Sequence, residues 1–302
     1  MNHTIKNIIL NGKSYGFISD FKHDKQLRTS FNNLTEATFG FNFEEWYLNG
    51  YWTENYIAYA LLYEQKIVSN VSVSVIEFFI EEERKTGIQI GTVMTDKKFQ
   101  NRGLNRFIME QVLAIWQEQS DFVYLFANDS VLNFYPKFNF EIVYEYQYSK
   151  LIDPSNDITA IKKLNIDNAK DKELLIETIQ LSKPISKLSM FYNTALIMFY
   201  CLSFKKDSIY YSKTLKAIII ADFENEAVSI NAVFSKEHVD VNNVIKVMSF
   251  NGAKQAILGF TPLNVEGFDR SIVKEADTLF ILNDKIDIFK DKYWMFPVLS
   301  HA

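Results

Sequence analysis

Residues 91–106 constrain this chain more than any other stretch. They run from a strand at 91–94 through a polar loop directly into an amphipathic helix, whose apolar face carries Leu104, Phe107, Ile108, Val112 and Ile115. A helix that opens there leaves its first backbone N–H groups without internal partners and puts partial positive charge at its N-terminus. Gly103 lets the loop turn tightly and brings those amides to an anion such as a pyrophosphate, while Arg102 and Arg106 add charge. An ordinary strand-to-helix turn would ask for no more than the glycine, so the stretch alone leaves both readings open.

The neighbouring segments fix the class of fold. Leu27, Phe31 and Leu34 give residues 22–34 a helical spacing, residues 56–63 read as a strand, and residues 67–75 alternate apolar and polar. Residues 81–87 form a charged turn, residues 88–94 a strand, and residues 104–119 a helix. The continuous apolar run at 122–127 suits a strand covered on both faces. Asn128, Asp129 and Ser130 cap a short helix that stops near Pro136, and residues 138–148 read as a last strand. This order predicts an α+β domain: a mixed, mainly antiparallel sheet with flanking helices. The polar, proline-bearing cluster 153–157 marks a boundary, so the division expected is 1–152 and a second α+β domain at 153–302. In that half, residues 170–181, 184–203 and 241–250 read as helices, 217–221 with 227–233 as a hairpin, and 256–260 as a strand.

Charge and cysteine content exclude several functions. The 302 residues carry a net charge of −5, with 14 basic and 18 acidic residues in 1–150, which is the wrong balance for nucleic acid or an anionic membrane. One cysteine, Cys201, allows neither an intramolecular disulfide nor a cysteine-based zinc site, and no metal is expected. In its apolar helix Cys201 reads as a small buried hydrophobe, and His238 and His301 read as surface or structural. No signal peptide is expected from the first residues, which no apolar run of sufficient length follows, and the most apolar stretch, 195–204, has about half the length needed to cross a bilayer. A cytoplasmic protein with no membrane contact is the expectation.

Two motifs then decide between the readings of residues 91–106. Gln100-Asn101-Arg102-Gly103-Leu104-Asn105 resembles the pyrophosphate loop of the GNAT superfamily of N-acetyltransferases, Gln/Arg-x-x-Gly-x-Gly/Ala. About thirty residues on, the segment from Ala127 to Phe140 is similar to the family's second signature, a strand end followed by Phe-Tyr-x-Lys-x-Gly-Phe. The resemblance covers residues 22–148. It implies acetyl-CoA as co-substrate and an amine as acceptor. The pantetheine arm would pair with Val93, Met94 and Thr95, and the pyrophosphate would sit on Gln100, Asn101, Arg102, Gly103, Leu104, Asn105 and Arg106. Asn128 and Lys137 would contact the cofactor, and Tyr135 falls at the position of the general acid that protonates the leaving thiolate. Asn105 and Asn139 depart from the family pattern, each replacing a small residue. Gln89 stands where some members carry a catalytic glutamate, which leaves Glu44, Glu45, Glu77, a water relay or a deprotonated amine as the base.

The acceptor side of the family is built from its first helices, and here that region is aromatic: Phe39, Phe41, Phe43, Trp46, Tyr47, Tyr51, Trp52, Tyr56 and Tyr59. Such walls suit apolar or cationic ligands, with Glu44 and Glu45 available to hold an amine. The second half lacks the pyrophosphate motif; it reads either as a degenerate second copy of the fold or as an unrelated cap, and a homo-oligomer stays open. Some two-domain relatives use the chain-terminal carboxylate as base, which would be that of Ala302. The implied activity is direct transfer of an acetyl group to an amine, and the alternative is an acyl-CoA-binding sensor or assembly module that has lost catalysis. Transfer from a charged tRNA is disfavoured by the acidic balance.

Overall fold

The computed structural model describes residues 5–155, 161–191, 193–274 and 277–301. Strands β1 (Lys6–Leu10) and β2 (Lys13–Ser19) precede helix α1 (Lys25–Phe39) and the short α2 (Glu44–Leu48). Asp24 starts α1 by accepting the N–H groups of Gln26 and Leu27, and Gly40, at φ 80°, ends it. Three long strands follow: β3 (Tyr56–Tyr63), β4 (Lys66–Ile80) and β5 (Glu83–Thr95). Helix α3 (Leu104–Trp116) carries the chain back to β6 (Phe122–Asn128). β7 (Phe140–Ile142) and β8 (Tyr146–Leu151) come next, then β9 (Ile161–Lys163), α4 (Ala169–Gln180), β10 (Leu188–Met190) and α5 (Thr194–Ser203). The rest comprises β11 (Ile209–Ser212), β12 (Ala217–Glu224), β13 (Ala227–Ser235), α6 (Val241–Val247), β14 (Gln255–Leu258), β15 (Asp269–Ile272) and β16 (Asp277–Leu282). Among the described residues no helix is long and apolar enough to cross a membrane.

The first sheet has the order β1-β2-β3-β4-β5-β6-β16-β7, with β10 attached to the far end of β4. Helix α3 lays Leu104, Ile108, Met109 and Val112 on one face, against Val71, Val73, Ile88, Ile90, Val123 and Leu125. Helix α1 covers the other face with Leu27, Phe31 and Leu34, packed on Phe43, Trp46, Trp52 and Tyr56. Both faces of the central strands are therefore buried, which explains why 122–127 is apolar without alternation. The mixed α+β architecture agrees with the class expected from the sequence.

Two segments differ from the reading of the sequence. Residues 184–203 are not one helix. Leu188–Met190 pairs with Phe78–Ile80 of β4, and the helix starts only after Asn193, whose side chain caps the N–H of Leu196. Residues 138–148 are not one strand either. Asn139 takes a left-handed conformation at φ 68°, and after Ile142 the chain leaves the first sheet, so that β8 pairs in the second. The exchange is reciprocal: β16, late in the chain, lies between β6 and β7 and pairs antiparallel with both. Asn156 and Asp157, in the polar cluster expected to divide the domains, lie outside the described residues.

The second sheet runs β15-β8-β14-β13-β12-β11-β9. Like the first, it has one parallel pair among the described residues, β13 with β14, joined through a helix. Pairing there stops at Ile230 and Leu258, and the space beyond is filled. Val298 N–H donates to the Gly259 carbonyl at 2.9 Å, and a Cβ on Gly259 would meet Val298 Cγ2 at 2.7 Å.

Candidate functional site

The first sheet opens at its one parallel pair. β5 and β6 are in register from Gly87 with Phe122 to Ile90 with Leu125, and no further. Beyond that point β5 runs on to Thr95 while β6 is held on its other edge by β16, so the strands part. A bulge assists: Ser72 faces Gly91 and Asn70 faces Met94, so Thr92 and Val93 together oppose Val71. Thr92 sits at φ 49°, fixed by its Oγ1 against the Tyr56 hydroxyl (2.8 Å) and by its carbonyl, which accepts from Asn70 Nδ2 (3.0 Å). The result is a cleft of about 690 Å³ bordered by Gln89, Thr92, Val93, Asn105, Asn128, Tyr135, Lys137 and a group of aromatic rings.

The loop expected to bind phosphate lies where β5 meets α3. Asn101 and Gly103 are both left-handed, at φ 61° and 73°, and Gly103 is the N-cap of the 13-residue helix α3. A Cβ placed on Gly103 would meet nothing within 4 Å, so open space lies over the helix N-terminus. An anion fits that space, which the unpaired amides and dipole favour. The side chains around it are mostly engaged. Asn105 Oδ1 accepts from Ser69 Oγ at 2.5 Å, Gln100 Nε2 reaches the Thr95 carbonyl at 3.4 Å, and Arg106 pairs with Glu110 at 3.0 Å. Arg102 folds back, donating to the Lys98 carbonyl (2.7 Å) and lying 4.9 Å over Phe99. Met94 and Leu104 are core residues and bring only backbone to this end.

Tyr135 stands on the opposite wall in a short 3₁₀ turn, Tyr135–Phe138, packed on Phe134, Phe140 and Phe280. Phe280 belongs to β16, so the strand from the second half of the chain helps seat this tyrosine. Among the described residues the Tyr135 hydroxyl has no hydrogen-bond partner, and burial pushes it up to about 12, so the phenol keeps its proton at neutral pH. Asn128 caps the turn after β6, accepting from Ser130 N–H at 3.1 Å.

The carboxylates that could replace the missing glutamate are elsewhere. Glu44 accepts from Arg28 Nε (2.9 Å), Arg28 Nη2 (3.0 Å) and Asn32 Nδ2 (2.8 Å), and the Arg28 hydrogen bonds hold its carboxyl below the usual range. Glu77 accepts from Thr86 Oγ1 (2.7 Å), and neither it, Glu44 nor Glu45 borders the cleft. Gln89 does border it, while being 2% exposed. Of the nine aromatic residues between 39 and 59, only Phe39, Phe41 and Phe43 reach the cleft; Trp46, Trp52 and Tyr56 fill the core under α1. Sequence reasoning missed the rest of that wall: Phe126, Phe199, Tyr200, Phe204 and His301. For α5 the only signal was its uniform apolarity, which does not say what it covers. His301, read from the sequence as surface or structural, lines the cleft, and Ala302 lies outside the described residues. Cys201 is buried in α5, and desolvation pushes its thiol up to about 12, as befits a core residue.

Buried tyrosines give a testable pH dependence. Desolvation raises the hydroxyls of Tyr56, Tyr124, Tyr135 and Tyr200, so the unfolded chain, titrating near 10, loses these protons first. Stability from this source is complete below pH 10 and falls as pH rises beyond it. Thermal melts should show a Tm that begins to fall near about pH 9, where the buried Cys201 thiol adds its own contribution, and drops steeply above about pH 10, a steep part that is shallower in Tyr135→Phe.

The site thus lies in a mainly antiparallel α+β sheet, split at one parallel pair with a helix N-terminus at its mouth. Residues 24–143 match the acetyltransferase (GNAT) domain family, and the N-terminal half of this chain is a GNAT domain. Solved structures resemble nearly the whole chain. A probable N-acyltransferase of unknown function from Enterococcus faecalis is 13% identical over 91% of this chain and 74% of that one, with a TM-score of 0.56. A GCN5-related N-acetyltransferase from Kribbella flavida is 11% identical over 89% and 72%, at 0.53, and Eis1 from Mycobacterium abscessus 12% over 89% and 74%, also at 0.53. At such identities the likeness is one of fold. No curated protein matches the chain.

Proposed function

We propose that this protein is an acetyl-CoA-dependent N-acetyltransferase that moves the acetyl group directly to an amine in a ternary complex. The observation that carries this is the opening between β5 and β6, with Gly103 and the α3 N-terminus at its mouth and Tyr135 on its wall. In this reading the amides from Asn101 to Asn105 hold the pyrophosphate, and Val93 to Thr95 pair with the pantetheine arm as an added strand. Arg106 turns from Glu110 at little cost, because an exposed ion pair is worth about 0–1 kcal/mol. The amine lone pair forms the C–N bond at the thioester carbon, and the oxyanion is met by backbone N–H at the Thr92–Val93 bulge. The C–S bond then breaks and the thiolate takes the Tyr135 proton. The nitrogen sheds one proton to water, and the same solvent restores the phenol. The single thiol, buried, suits a cytoplasmic setting.

Acetyl-CoA titrated calorimetrically is expected to bind, and Gly103→Trp to weaken binding by at least about a hundredfold. Gly103→Asn, which tolerates the left-handed backbone with a small side chain, should retain most of the affinity. Absence of acetyl-CoA binding by the wild type sinks the proposal. Gln89, buried where a glutamate base would stand, favours a second reading, an acyl-CoA-binding module without catalysis. Thiol release across a panel of amines separates the two.

A further inference from the structure

Two features of the cleft are not used by the chemistry above. The first is an aromatic chamber within the cleft. Phe41 lies within 6 Å of Phe43, Phe199 and Phe204, at centroid distances of 5.4, 5.7 and 5.6 Å, and Phe43 stacks on Phe199 at 5.2 Å. These rings come from the α1–α2 connection and from α5, and they face the cleft. Among the described residues bordering the cleft only Lys137 and Asp277 are charged. Asp277 begins β16 opposite Asn128, at the cofactor wall rather than in the chamber. Among the described residues a polycation would find no set of carboxylates there.

The second feature is His301. Its ring stacks on Phe126 at 3.6 Å, and its carbonyl accepts from the Tyr200 hydroxyl, which fixes the backbone at the chamber wall. Its Nε2 is sealed from solvent and has no hydrogen-bond partner among the described residues, one of three such side-chain atoms. An unpartnered buried polar atom disfavours the fold unless something meets it. Burial pushes the imidazole down to about 3, so the ring is neutral and can accept a hydrogen bond. His301 itself borders the cleft.

We infer that His301 turns its ring to receive the N–H of the attacking amine and that the acceptor is a monoamine on an apolar body seated against the wall formed by Phe41, Phe43, Phe199 and Phe204. This rests on the transferase reading for the reaction it serves. Accepting one N–H turns the nitrogen lone pair toward the thioester carbon without the imidazole having to become charged. The role needs an uncharged amine, which an apolar chamber favours because desolvation penalises the ammonium form.

The test is calorimetric and needs no turnover. Phenethylamine and spermidine are titrated into the full-length protein saturated with coenzyme A, for wild type, His301→Ala and His301→Gln. Phenethylamine is expected to bind wild type at least about tenfold more tightly than spermidine, and His301→Ala to lose about tenfold. His301→Gln, whose carboxamide oxygen also accepts, should recover most of that loss, with coenzyme A affinity equal in all three. Spermidine binding as tightly as phenethylamine, or His301→Ala matching wild type, overturns the inference. Equal loss in both variants assigns the effect to ring stacking and likewise overturns the role of the nitrogen. If coenzyme A itself fails to bind, the transferase reading has failed, and the same amine titration without it still decides whether the chamber takes an apolar amine.

Discussion

Tyr135→Phe is expected to lower turnover by about 10²–10⁴-fold while leaving acetyl-CoA affinity unchanged. In the proposed mechanism the phenol supplies the proton that the departing thiolate needs. Its hydroxyl has no partner among the described residues, and its ring is held by Phe134, Phe140 and Phe280. Phenylalanine keeps that packing and removes only the oxygen, so folding is spared. Release of coenzyme A thiol at saturating amine measures the effect, and calorimetry checks the affinity. Turnover within about threefold of wild type would remove Tyr135 from the chemistry, since a positioned acid contributes far more than that.

Phe296→Ala is expected to cost about 3–5 kcal/mol, with a Tm drop on the order of 10 °C. Phe296 is 1% exposed and stacks on Tyr124 at 4.3 Å, with Phe78, Phe122, Phe126 and Phe289 around it. Its N–H donates to the buried Glu145 at 2.7 Å. The segment thus packs in the core of the first sheet, and it leads within five residues to His301. Loss of the ring should raise the KM for amine as well as lower the Tm, because the same segment walls the cleft. Phe296→Leu, which refills most of the volume, should lose less on both measures. A Tm within about 2 °C of wild type would show that this segment is not part of the core.

Local chemistry made the centre of the site legible. Gly103 before an amphipathic helix, and Tyr135 after a strand ending in Asn128, are short-range patterns; Tyr135 borders the cleft together with Asn105 from the first turn of that helix. Asn139 is left-handed in place of a glycine, as its side chain permits. Turn chemistry served less well. The hairpins at Glu64-Gln65, Glu81-Glu82 and Asn225-Glu226 place two successive non-glycine residues at positive φ, so the usual glycine signal is missing. Asn11-Gly12 does carry that signal and joins β1 to β2, a hairpin that the pattern alone could have found.

Long-range pairing was not legible. Leu279-Phe280-Ile281-Leu282 has the same unbroken apolar character as residues 122–127, yet nothing in it says that it enters the first sheet between β6 and β7. Register and partner choice are set by complementary surfaces far apart in the chain, and a strand buried on both faces carries no alternation to orient it. The same limit hid the acceptor wall. Residues 194–203 are apolar nearly throughout, so periodicity could not show which side of α5 meets Phe41 and Phe43.

By itself, the sequence determined the α+β class, the strand–loop–helix that can hold an anion, and the position of a candidate acid. These depend on backbone conformation and periodicity over a few turns of chain. Only the tertiary structure decided where the carboxylates went, with Glu44 held by Arg28 and Glu77 held by Thr86, both away from the cleft. Only it brought α5, β16 and His301 to a site whose motifs end more than fifty residues earlier. The physical reason is that burial of apolar surface is non-directional: it drives these segments into a shared core, and shape and hydrogen bonding then choose among partners that no local pattern distinguishes.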